Sequence, residues 1–125
     1  MSQSDDETLR FIEANFPSVW ALELALALKR EARPCTSEQL VAMLRASELV
    51  VSKALEALVV AGIASPDAQG SVYLPANPDI DECMARTEQL YRARPNTVRR
   101  AIISASTGGA AAFADAFKLR RNRDD

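Results

Sequence analysis

Histidine is absent from this chain of 125 residues. With it goes the side chain that most often serves as general acid or base near neutral pH. Cysteine is scarce. Cys35 and Cys83 stand alone, in no CxxC pair and no metal-ligand spacing, so neither a zinc site nor a disulfide framework is expected. Glycine occurs only four times. Gly108-Gly109 follows no strand and lacks phosphate-loop spacing, and reads as a flexible joint. No run of 18 apolar residues offers a transmembrane helix. The opening MSQSDDETLR is acidic and lacks the basic-then-apolar order of a secretory leader, so a cytoplasmic protein with reduced thiols is expected. Carboxylates are the remaining candidates for catalysis. Asp5, Asp6 and Glu7 fall on an expected frayed terminus. Asp79, Asp81 and Glu82 fall where acids favour the positive end of a helix dipole. Both groups read as solvating or structural. The expectation is no enzymatic activity, no cofactor and no metal.

What is present is apolar residues, 48% of the chain, at helical spacing. That is enough for one soluble domain with a single core. The expected class is mainly α with a small β-hairpin. Residues 1–104 form the domain with its flanking helices, and residues 105–125 form a linker and a short amphipathic basic tail. Leu9, Ile12 and Phe16 share one face of a helix over 5–16. Pro17 suits the first turn of a second helix, reaching about Glu31. Val19, Trp20, Leu22, Leu24, Leu26 and Leu28 surround that helix with apolar groups, so it needs cover on several sides. A second subunit is one such cover.

Residues 36–64, TSEQLVAMLRASELVVSKALEALVVAGIA, read as two short helices joined by a tight turn. Ser37 is placed to cap the first, with Leu40, Met43 and Leu44 as its apolar stripe. Ser47 is placed to cap the second, which buries Val51, Leu55 and Leu58. Gly62 stands where a helix ends in a left-handed residue. Ile63 begins a strand, Pro66 to Gly70 make the turn, and Val72-Tyr73-Leu74 return. A helix over 79–94 follows, with Ile80, Cys83, Met84, Thr87, Leu90 and Tyr91 at 3-and-4 spacing. That face packs on its own domain or forms a dimer seam. Pro95 ends it. A short helix over 97–104 buries Val98, Ile102 and Ile103 and exposes Arg99 and Arg100.

Helix, turn, helix and hairpin over residues 17–75, with VSKALEALVVAGI in the middle, resemble winged helix-turn-helix transcription regulators of the MarR-like kind. YRARPNTVRRAIIS and FADAFKLRR are similar to the tail of small uncharacterised bacterial winged-helix proteins. The resemblance implies a dimeric DNA-binding regulator whose second helix reads DNA. On that reading Gln39, Arg45, Ser47, Ser52, Lys53, Arg99 and Arg100 contact the nucleic acid.

Charge is divided unevenly. Through residue 85 there are 13 acids and 6 bases, a net of −7; from residue 86 there are 4 acids and 9 bases, a net of +5. DNA affinity depends on neutralising phosphates with Lys and Arg. The reading head, 36–64, holds only Arg45 and Lys53 against Glu38, Glu48 and Glu56. The alternative is therefore a protein-interaction module on the same scaffold. Its contacts would be Leu49 and Val50, unless these belong to the core, together with Phe113 and Phe117 one helical turn apart in the tail.

Overall fold

Four helices begin where a short polar side chain can accept a backbone N–H of the first turn, the group a helix start leaves unpaired. The computed structural model describes residues 3–106. Its elements are α1 (Gln3–Asn15), α2 (Val19–Glu31), α3 (Ser37–Leu44), α4 (Glu48–Val60), β1 (Ala64–Asp67), β2 (Gly70–Tyr73) and α5 (Pro78–Ala93). A final helix, α6, runs over 95–106. The protein is mainly helical with one small antiparallel sheet. No single helix among the described residues is long and apolar enough to cross a membrane.

Ser18 caps α2, Thr36 caps α3, Ser47 caps α4 and Asn77 caps α5. Two of these correct the sequence reading. Pro17 lies before the cap of α2 rather than inside its first turn. Thr36, not Ser37, caps α3, because Gln39 completes a reciprocal box with it. The Gln39 backbone N–H donates to Thr36 Oγ1 at 3.2 Å, and the Thr36 N–H donates to Gln39 Oε1 at 2.9 Å. Only the residue three before Gln39 can make that pair. Residues 5–7, expected to fray, lie within α1.

The core forms around α2. Ala21, Leu22, Leu24, Ala25, Leu26, Ala27 and Leu28 are all buried. The helix packs on α3, α4 and β2. Most of its apolar circumference is thus covered within one chain, Trp20 excepted. α1 contributes Ile12 and, just past its end, Phe16. α5 packs on α1 and buries Met84, Thr87 and Leu90, while Ile80, Cys83 and Tyr91 of the same face are half-buried. Lys29 pairs with Glu88 at 3.0 Å, and Tyr91 donates to Glu23 at 2.6 Å, tying α5 to α2.

The hairpin pairs Ala64 with Tyr73 and Asp67 with Gly70. The strands are therefore one residue off the expected limits at Ile63 and Leu74, and the turn shortens to Ala68-Gln69. Cys35 and Ser71 exchange both backbone hydrogen bonds at 2.8 Å, which adds a third edge to the sheet. This approach explains Gly70. Its φ is +138°, and a Cβ there would strike the Cys35 carbonyl. Gly62 ends α4 at φ +75°, as a left-handed exit requires.

α6 departs from expectation in three ways. Pro95 opens it rather than merely closing α5, since a proline fits a first helical turn where no N–H partner is needed. Ile103 is 56% exposed while Val98 and Ile102 are buried. Adjacent residues on a helix cannot share one narrow face. The helix also continues to 106, past the expected boundary after 104. Phe113 and Phe117 lie outside the described residues.

Candidate functional site

α4 buries Val51, Ala54 and Leu58 toward the core. Helical spacing then sends its other residues outward. Val60 lies about two and a half turns after Val51, on the opposite face. The outcome is an exposed ridge of Leu49 (65% exposed), Ser52, Lys53, Glu56, Val59 and Val60 (88% exposed). Val50 is half-buried and Leu55 only partly covered.

Hollows flank the ridge. Toward the hairpin runs an open groove of about 540 Å³, lined by residues that include Leu55, Glu56, Val59, Val60 and Pro66. On the other flank, Pro17, Ser18, Trp20, Val50, Lys53 and Ala54 line a second hollow of about 350 Å³. The indole of Trp20, 42% exposed, also borders a hollow between α2 and α3 that it shares with Met43, itself 42% exposed. Met43 was expected on the buried stripe of α3. It points outward because α3 buries a single residue, Leu40.

The residues expected to touch DNA are distributed over different tasks. Gln39 is held in the capping box of α3. Ser47 Oγ accepts from the Val50 N–H at 3.1 Å, as the cap of α4. Arg99 lies over the Tyr91 ring, 5.4 Å from its centre, and Arg100 is exposed on α6. Arg45 ends α3 in a left-handed conformation, φ +54°, with its side chain in solvent. Ser52 and Lys53 are exposed on α4, but on opposite flanks: Ser52 borders the hairpin groove and Lys53 the Trp20 hollow. The exposed acids of the same region are Glu38, Glu48, Glu56 and Asp67.

Two tyrosines hold the scaffold behind the ridge. Tyr73 Oη donates to Asp81 at 2.6 Å, joining β2 to α5. Burial raises the Tyr73 phenol well above its ordinary range, helped by the hydrogen bond to Asp81 and its negative charge. Burial also raises Tyr91, as does its bond to Glu23, while Arg99 opposes the shift. Tyr73 thus ties the hairpin to α5, and Tyr91 ties α5 to α2.

Sequence reasoning missed Trp20, Val59, Val60 and Pro66 as surface features. Val60 carried a signal, because its offset from Val51 is readable from helical geometry alone. Pro66 and Trp20 did not, because only the packing of hairpin and α2 beside α4 brings them to the ridge. No family model, curated protein or solved structure matches this chain.

Proposed function

We propose that this protein is a winged helix-turn-helix domain whose α4 ridge docks another protein. The observation that carries the reading is the concentration of exposed apolar side chains at α4. Leu49, Val59 and Val60 stand on it, and Trp20 and Met43 border the adjoining hollows. Scattered surface apolar residues need no explanation, but several on one short helix, beside apolar-lined grooves, suit an interaction surface. Trp and Met are residues that protein interfaces favour. The surrounding charges point the same way. Four exposed acids face two bases, Arg45 and Lys53, and a phosphate backbone meets net repulsion there.

DNA binding is the second reading, favoured by the order α3, short turn, α4, hairpin and by the exposure of Arg45, Ser52 and Lys53. It includes a homodimer presenting two such heads. Surface open to that dimer includes Trp20 on α2 and, beyond α2 and α5, Leu74 and Ile103, all exposed.

The two readings separate in titrations with mixed-sequence and genomic duplex DNA at physiological salt. The protein-docking reading expects only non-specific affinity, with Kd weaker than about 10⁻⁶ M, and no change in Arg45→Glu or Lys53→Glu. Cross-linking in extracts of the source cell should give a specific adduct that Leu49→Asp and Val60→Asp abolish and Leu74→Asp retains. Nanomolar, strongly salt-dependent DNA binding lost in Lys53→Glu would overturn it in favour of the second reading.

A further inference from the structure

We propose that residues 110–121 of this same chain, AAAFADAFKLRR, are a ligand of the groove between α4 and the hairpin. The inference rests on that groove being a docking face, and it names the occupant. Leu55, Val59, Val60 and Pro66 supply the groove's apolar surface. Its lining contains Glu56 and no lysine or arginine. Glu38 and Asp67, both exposed, adjoin the lining residues Ser37 and Pro66 in sequence. The occupant such a groove selects has large apolar side chains with cations beside them.

The chain carries that composition in one place outside the described residues. Phe113, Phe117 and Leu119 are accompanied by Lys118, Arg120 and Arg121, against the single acid Asp115. Residues 110–121 hold three bases and one acid, a net of +2, while the part of the chain that builds the groove lies within a stretch of net −7. Complementary charge steers and orients such a contact, and burial of the phenylalanines supplies most of its strength.

The linker gives the tail a reach comparable to the dimensions of the folded body. Seven residues lead from Ser106, the last described residue, to Phe113, and an extended chain covers roughly 25 Å over that distance. A folded body of this size has a radius of gyration of about 13 Å. Tethering by a short linker sets an effective concentration in the millimolar range. A weak contact is then filled within the chain ahead of a second copy at micromolar concentration. An external partner with an apolar and basic segment would compete with the tail for the same groove.

The test is heteronuclear NMR of the full chain, native against Phe113→Ala/Phe117→Ala. The substitutions lie outside the folded groove, so its signals remain assignable. The expected result is a shift of the Val59, Val60 and Ser71 signals that is unchanged over a fifty-fold dilution. Lys118→Glu/Arg120→Glu/Arg121→Glu should give part of the same shift, and Glu56→Lys should reduce the difference between native and double variant. Identical groove signals in native and double variant would overturn the proposal. So would a shift that vanishes on dilution, which would assign the groove to a second copy. The measurement needs no external partner, so it can fail while the cross-linking result stands, or the reverse.

Discussion

α2 and α4 are both helices of 13 residues, and both are rich in leucine, valine and alanine. Their apolar content has different causes. In α2 seven residues are buried and the surrounding α3, α4 and β2 account for them. In α4 three residues are buried, while Leu49, Val59 and Val60 remain in solvent. The fold explains the composition of the first helix and leaves the second with a surplus. A surplus that stability does not use is a feature of interfaces. The comparison therefore supports the proposed placement of the docking surface on α4.

The sharpest way to break the comparison is truncation on both helices. Leu28→Ala, at a fully buried site, should lower unfolding free energy by about 2–5 kcal/mol. Val60→Ala, 88% exposed, should change it by no more than about 0.5 kcal/mol. Equal losses in urea titrations would mean that α4 is covered on both faces and that its surplus is core.

Gly70→Ala tests whether the wall of the groove depends on the close approach of β2 to Cys35. The added methyl meets the Cys35 carbonyl at a positive φ, so a loss of roughly 1–3 kcal/mol is expected from the strain. The signals of Ser71 and Pro66 should move with it. Melting at the native temperature with an unperturbed hairpin would show that the bridge is dispensable.

Capping separates neighbouring serine and threonine positions. Thr36→Ala and Ser47→Ala each remove an acceptor from a helix start and should cost about 1 kcal/mol. Ser37→Ala, inside the first turn, should cost much less. The reverse order in thermal melts would return the cap to Ser37.

The smallest effect is on the tyrosines behind the ridge. Both phenols are raised by burial and by hydrogen bonds to carboxylates. Their neutral forms are favoured in the folded state, so this contribution is complete below the unfolded pKa of about 10. It is lost as pH climbs through the higher folded values. Absorbance titration of the folded protein should show both tyrosines ionising above the free phenol. Asp81→Asn, which removes the negative partner, should bring Tyr73 down. Ordinary titration of both residues would detach the hairpin from α5.

Much of this was legible beforehand. The helices at 3–31, 37–60 and 78–93 follow from apolar spacing, Ser47, Gly62 and Asn77, because helical periodicity and end geometry are local properties. The same arithmetic placed Lys53 and Ser52 outward and misplaced Met43, whose exposure depends on how little of α3 the core accepts. Gln39 illustrates the limit for a site residue. Its type suited a base contact, and only the structure shows that its Oε1 accepts from the Thr36 backbone N–H.

By itself the sequence determined the helical class, the hairpin and the acidic character of the 36–64 region, because each depends on residues close together in the chain. Tertiary structure decided which apolar faces were used up. Only the packing of α2 against α3, α4 and β2 buries all of its apolar residues from Ala21 to Leu28. Only the placement of the hairpin and Trp20 beside α4 makes grooves along an apolar ridge. Whether a side chain is core or surface depends on what lies across from it, and that partner is distant in sequence.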